Sequence, residues 1–225
     1  MIELQGFAGQ LVAGATTTLE LATTSLVFGI GVGLCGAIAK QSDVAVIRAA
    51  ATLYTTVIRG IPELLIILIL YFGGTVALTA LAGRYAEINA FTSGVFALSL
   101  VFGAYATEVF RAAIRAVPYG QIEAARALGL SSALIWRFVI LPQTWRHALP
   151  GLGNLWLTLL EDTALVSVVG LEDLMRKTGI AAGATHDPLT FYCAAAAIYL
   201  AFTSASIIGL AQLEHRASRG VRFAM

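Results

Sequence analysis

Charge is what this chain has least of. Only 12% of its 225 residues are Asp, Glu, Lys or Arg, while 58% are apolar, and mean hydropathy is +0.83. A soluble domain carries about twice that charged share, roughly 25%. The deficit excludes an ordinary water-soluble domain and predicts a helical membrane protein of several spans. Lysine is almost missing: Lys40 and Lys177 are the only two. Neither follows a glycine in the Gly-x-x-x-x-Gly-Lys-Ser/Thr pattern that cradles nucleotide phosphates, so no ATPase site is expected on this chain. The start, Met1-Ile2-Glu3, lacks the basic run of a cleavable signal peptide, and the first apolar span is expected to stay in the membrane. Cysteine is scarce as well. Cys35 and Cys193 each stand alone in an apolar run, without metal-ligand spacing, and both read as small core residues. His147, His186 and His215 fall in peripheral polar segments, so neither a metal site nor a Ser-His-Asp group is expected. A formal net charge of +1 gives no ground for a nucleic-acid partner.

What is present is a series of apolar runs. Spans are predicted over 11–39, 64–81, 91–113, 150–170 and 189–213. Gly29 and Gly33 form a small-xxx-small step in the first, through which a second helix can approach closely; ordinary glycine enrichment in membrane helices is the alternative. Residues 44–59 form a less apolar helix, broken at Gly60-Ile61-Pro62 because proline lacks a backbone donor and clashes with the preceding turn. Residues 83–89 read as a short loop and 171–188 as a charged polar loop.

Five spans put the two termini on opposite sides. One side gathers Lys40, Arg48, Arg59, Arg111, Arg115, Arg126, Arg137, Arg146, Arg216, Arg219 and Arg222; the other holds Arg84, Arg176 and Lys177. The positive-inside rule makes the richer side cytoplasmic, with the N-terminus outside.

The ionisable residues within the spans are acidic apart from Arg59 and Arg111 near their ends: Glu20, Glu63, Glu108, Glu161 and Asp162. Each costs about 2.5–3.5 kcal/mol at the bilayer centre unless it faces a cavity or a partner. Glu161-Asp162-Thr163, deep in the fourth span, is the leading candidate for a translocation pathway, and carboxylates there favour cationic groups. The alternative is pairing with basic residues of a neighbouring subunit. Glu63 follows the proline break, where freed backbone groups must face protein or water, and is the second candidate. Glu20 is expected beside Thr17 or Thr24, and Glu108 is expected to pair with Arg111 three residues on.

Between the third and fourth spans lies a polar island. After Pro118, the residues Gly120-Gln121-Ile122-Glu123-Ala124-Ala125-Arg126-Ala127-Leu128 have good helix propensity, and Gly129 is a natural terminator. Ile122, Ala125 and Leu128 share one face; Glu123 and Arg126 share another. Read from the residues alone, this is a short protruding helix that meets a soluble partner, or else an amphipathic helix lying on the membrane.

The spacing of Glu123-Ala124-Ala125, Gly129 and Ile140-Leu141-Pro142 resembles the EAA loop of bacterial ABC-importer permeases. Tyr105 to Arg111 before it and Ala148-Leu149-Pro150-Gly151 after it strengthen the likeness. Residues 54–63 and 163–173 resemble permeases for histidine, lysine, arginine, ornithine and opines, and the resemblance covers nearly the whole chain. It implies a single all-α transmembrane domain, residues 1–225, of the type I importer permease (MetI-like) fold. The periplasmic N-terminus and cytoplasmic C-terminus read from the charges agree with it. It further implies that residues 117–149 are the cytoplasmic loop whose Gly120, Glu123, Ala124, Ala125 and Gly129 couple to the ATPase, while Glu161, Asp162, Thr163 and Glu63 line the pathway. The implied partners are two ABC ATPase subunits carrying ATP and Mg, a second permease subunit (identical or paralogous), a periplasmic substrate-binding protein, the inner-membrane bilayer and a polar amino acid. Family members often have a basic residue where Glu161 stands, a departure that points to a cationic amino acid or opine. The alternatives are a neutral or acidic amino acid such as glutamine, a non-transporting scaffold for an ATPase, or a membrane enzyme.

Overall fold

The computed structural model describes residues 6–217; Met1-Ile2-Glu3, Arg219 and Arg222 of the preceding expectations lie outside them. The described chain is helical, in the order α1 (Ala8–Ala39), α2 (Ala45–Gly60), α3 (Glu63–Ala82), α4 (Ala90–Arg115), α5 (Tyr119–Ala127) and α6 (Ser132–Ile135). A π-helical turn (Trp136–Ile140) then leads into α7 (Leu141–Asp162), a 3-10 segment (Thr163–Val169), α8 (Leu174–Thr185) and α9 (Pro188–Ala217). Five helices are long and apolar enough to cross a membrane: α1, α3, α4, the continuous run Ser132–Val169, and α9.

The bundle is built around α4, the most buried of the spans. α1 lies parallel to it, and glycines set the distance between them. A Cβ on Gly29 would come within 2.6 Å of Phe102, and one on Gly33 within 2.6 Å of the Ala106 Cβ; Gly36 sits directly on Thr107. The small-xxx-small step is therefore a packing seam. The Ser99 hydroxyl donates to the Ser25 carbonyl across it at 3.2 Å. Gly31, on the other face, meets nothing within 4 Å. α7 returns antiparallel: Gly151 packs on Val109 near the end of α4, whereas Leu159 and Asp162 lie beside Leu98 and Phe102 higher up. α9 then descends along α7, tied by a Trp156 Nε1–H donated to Ser206 Oγ at 2.9 Å. The central core combines Leu21, Ile67, Leu98, Phe102, Phe110 and Leu152.

Three expectations are corrected. The fourth span does not open at Pro150, because α7 begins at Leu141 and passes through that proline. A span tolerates a proline where neighbouring helices and local adjustment meet the freed carbonyl. The segment after Leu171 is not simply a polar loop: α8 buries Leu174, Thr178, Ala181 and Ala182, an i, i+4, i+7, i+8 stripe that packs on α1 and α9 beside Leu11, Ala15 and Phe191. Its first turn is fixed by the Asp173 carboxylate, which accepts from Arg176 N–H at 2.9 Å, and by Leu174 N–H, which donates to the Thr18 hydroxyl at 3.1 Å. Finally, Cys35 and Cys193 are exposed rather than in the core. On a membrane helix the outside is itself apolar, so a small apolar residue gains little by turning inward.

Candidate functional site

Two regions bear on function: an acidic cavity within the spans and a short helix in the segment that joins α4 to the fourth span. The cavity has a volume of about 220 Å³ and is lined by Glu63, Phe102, Tyr105, Leu155, Thr158 and Asp162, among others. Three elements deliver its polar groups. Pro62 breaks the chain between α2 and α3, so Glu63 becomes the first residue of α3, with its backbone N–H among those a helix start leaves unpaired. Asp162 is the last residue of α7, at the change to tighter 3-10 winding. Tyr105 comes from α4; its hydroxyl donates to Glu63 Oε1 at 3.5 Å. The Arg59 guanidinium lies over the Tyr105 ring, 5.1 Å from its centroid, a cation–π distance. Tyr105 also borders a second, more polar cavity with Lys40, Thr55, Thr56, Arg59 and Glu108. A polar series thus leads from Asp162 past Tyr105 toward the Arg-rich end of the bundle.

Of the four residues expected in the pathway, Glu63 and Asp162 share the cavity. Glu161 does not line it and is exposed on the outer side of α7; one residue is a 100° turn about a helix. Thr163 is fully buried, and its hydroxyl donates to the Leu160 carbonyl at 2.6 Å. Glu20 is exposed, and the Thr17 hydroxyl donates to the Ala13 carbonyl at 3.2 Å rather than to Glu20. Glu108 pairs with Arg111 as expected, accepting from its Nε at 2.8 Å, and also with Lys40 at the end of α1. Sequence reasoning missed Lys40 and Tyr105. Lys40 was legible only as the end of a span, since its partner is 68 residues away. Tyr105 lies three residues before Glu108, one turn deeper on α4, and that spacing was the available signal.

The second region is α5. Ala125 is buried and Ile122 partly so, against Val117, Ile135, Ile140 and Val139. Gln143 on α7 reaches back to it, with Nε2 donating to Gln121 Oε1 at 2.6 Å. Leu130 N–H donates to the Ala125 carbonyl at 3.2 Å and Gly129 N–H to the Arg126 carbonyl at 2.9 Å, with Gly129 at φ +78°. This is a Schellman ending, which favours glycine because a side chain is strained at positive φ. Gly120, Glu123, Ala124 and Ala127 face outward. Leu128, grouped by spacing with Ile122 and Ala125, is 81% exposed while Ala125 is buried; as the C-cap it has left the helical repeat. Tyr119, at the start of α5, is exposed as well.

Residues 25–219 match the family model described as binding-protein-dependent transport system inner membrane component. The chain is 43% identical over 213 residues to the arginine ABC transporter permease protein ArtQ of Haemophilus influenzae, covering 95% of this chain and 96% of that one. It is 46% identical to the nopaline transport system permease protein NocQ of Agrobacterium fabrum, with 96% and 94% covered. It is 41% identical to the histidine/lysine/arginine/ornithine transport system permease protein HisQ of Escherichia coli, with 97% and 98% covered. Among solved structures, an amino acid ABC transporter crystallised with histidines superposes with a TM-score of 0.83 at 37% identity, covering 93% of this chain and 95% of that one. The methionine transporter MetNI in an inward-facing form gives 0.76 at 19% identity, a likeness of fold alone, covering 93% and 96%. Five apolar helices, the matched family model and relatives aligned over almost their entire length make this chain a multi-pass inner-membrane protein that belongs to the permease family of binding-protein-dependent ABC transport systems.

Proposed function

We propose that this chain is the membrane-spanning subunit of an ATP-driven importer for a cationic amino acid or an opine, working by alternating access. The observation that carries the substrate class is the convergence of Glu63 and Asp162, from separate helices, on one cavity between the spans. Apart from these carboxylates, Tyr105 and Thr158, that cavity is walled by Leu98, Phe102, Leu155 and similar side chains. An apolar wall with an acidic pole suits a ligand whose methylene stem ends in an ammonium or guanidinium. Relatives named for arginine, for histidine, lysine and ornithine, and for nopaline agree with that class.

In this reading a periplasmic binding protein hands the substrate to the outer face, and the pathway is completed by a second permease chain. Glu161, exposed beside Asp162, belongs to the surface toward that second chain. ATP with Mg is bound and hydrolysed by two separate ATPase subunits, which dock on the cytoplasmic part of segment 117–149 that precedes α7. Gly120, Glu123, Ala124 and Ala125 present the docking helix and Gly129 ends it. The N-terminus is periplasmic and the C-terminus cytoplasmic, following the arginine distribution.

The test is ATP hydrolysis by the reconstituted transporter in liposomes, with arginine, lysine, histidine and glutamine, each delivered by its binding protein. Stimulation by the cationic amino acids is expected. Stimulation by glutamine alone would discard the acidic-pathway argument and keep the importer. Purification of the chain with no associated ATPase would remove the importer reading.

A further inference from the structure

Helices α7 and α9 run antiparallel in a fixed register. Trp156 meets Ser206 at 2.9 Å, and a Cβ on Gly153 would lie 3.2 Å from Leu210. Three or four residues back along α7 thus correspond to the same step forward along α9, and continuing by that rule brings Arg146 level with Arg216. The depth of that level follows from length. α9 has 30 residues, and at 1.5 Å each it is about 45 Å long, the thickness of a bilayer with its headgroups. Arg216, next to its last described residue, therefore stands at headgroup level, and the register sets Arg146 beside it.

Between them is a groove of about 510 Å³, lined by Leu141, Pro142, Trp145, Arg146, Arg216 and Ala217. Its floor is apolar and its rim carries two positive charges. No acidic residue lines it, and neither arginine forms an ion pair among the described residues. Two guanidinium groups facing one groove repel each other unless an anion lies between them, and a phosphodiester matches their planar donors. Trp145, about half exposed, is the residue type that settles where acyl chain meets headgroup.

We propose that this groove is a binding site for an anionic phospholipid, its phosphate held between Arg146 and Arg216 and the start of an acyl chain lying against Leu141, Pro142 and Trp145. The chemistry is that of basic interhelical pockets at a membrane surface. It is independent of the substrate that the transporter carries, and the positive-inside orientation sets only which leaflet is involved.

The experiment uses the assembled transporter, permease with its ATPase, in nanodiscs carrying photoactivatable phosphatidylglycerol or photoactivatable phosphatidylcholine, with the labelled peptides mapped by mass spectrometry. Phosphatidylglycerol is expected to label the segments 141–146 and 213–217 in excess over phosphatidylcholine. Arg146→Gln with Arg216→Gln is expected to lower that labelling by about five-fold for each charge removed, and Arg146→Lys with Arg216→Lys to retain most of it. Equal labelling by both lipids, or labelling indifferent to the glutamine variant, overturns the proposal. So does protein–protein cross-linking of these segments in place of lipid labelling, which would make the groove a subunit contact. A second measurement needs no arginine variant. The Trp145 fluorescence, taken as wild type minus Trp145→Phe, is expected to be quenched more by brominated phosphatidylglycerol than by the brominated choline lipid; equal quenching counts against the site.

Discussion

Asp162 and Glu161 are neighbours in sequence with different surroundings, and substitutions should separate them. Asp162→Asn keeps the shape of the side chain and removes a charge from the cavity. Losing a charge-assisted contact of about 1.5–3 kcal/mol predicts a fall in cationic amino-acid uptake of roughly ten- to a hundred-fold, at unchanged membrane insertion. Glu161→Gln is expected to do less, because that side chain lies outside the cavity wall. Radiolabelled arginine uptake into vesicles ranks the two; equal losses would mean that both carboxylates line one path.

Asp173 gives a prediction of another kind. It lies between spans, is fully buried, and its Oδ2 has no partner among the described residues. Burial pushes its carboxyl up to about 6 from 3.8. The folded state therefore holds this proton more tightly than the unfolded chain. The associated stabilisation is complete below pH 3.8 and is lost as pH rises through about 6, on the order of 3 kcal/mol in full. Asp173→Asn keeps an equally good N-cap and removes the charge. It should raise the thermal midpoint at pH 7.5 and flatten its change between pH 4 and 7, as read by unfolding in detergent at a series of pH values. An unaltered pH profile would show that Asp173 is solvated.

At the scale of elements, the α1–α4 seam separates required glycines from tolerated ones. Gly33→Leu drives a side chain into Ala106, where even a Cβ would be 2.6 Å away, while Gly31→Leu points where nothing lies within 4 Å. The first should destabilise by about 1–3 kcal/mol and the second should be close to neutral, measured by loss of monodisperse protein on heating. α5 makes a functional prediction. Gly129→Asp places a side chain at φ +78° and a negative charge at the unfavourable end of the helix dipole. Uptake should fall sharply with insertion intact and ATP hydrolysis no longer answering to substrate; normal uptake would refute the coupling role of this loop. The ending of α5 was readable because Gly129 carries its own conformational signal. Leu128 was not, since a periodicity count continues through a residue where the helix has already stopped. α8 was hidden for the opposite reason. The charges Glu172, Asp173, Arg176 and Lys177 crowd its start and mask a buried stripe that shows only once α1 and α9 supply the surface it packs on.

For the whole molecule, the prediction concerns number. The acidic cavity is bounded by α3, α4 and α7, and under the proposed function a second permease chain completes the route across the bilayer. Native mass spectrometry of the purified transporter should find two permease chains with two ATPase subunits. A single permease chain in an active assembly would require the pathway to run wholly within this bundle.

The sequence by itself determined that the chain is a bundle of five spans, because a backbone in hydrocarbon must satisfy its own hydrogen bonds and a span needs a minimum apolar length. It also determined which residues were too costly to be incidental, Glu63 and Asp162 among them, and where α5 ends. Only the tertiary structure decided which of those costly residues meet. Adjacent residues on a helix point 100° apart, so the rotation of α7 against α4 turns Asp162 toward the cavity and Glu161 away from it. The α1–α4 register, set by the contacts of Gly29, Gly33 and Gly36, brings Lys40 to Glu108 across 68 residues, and the seating of α3 against α4 brings Tyr105 to Glu63 across 42. No local pattern encodes those pairings, because they are properties of how two helices seat rather than of either helix alone.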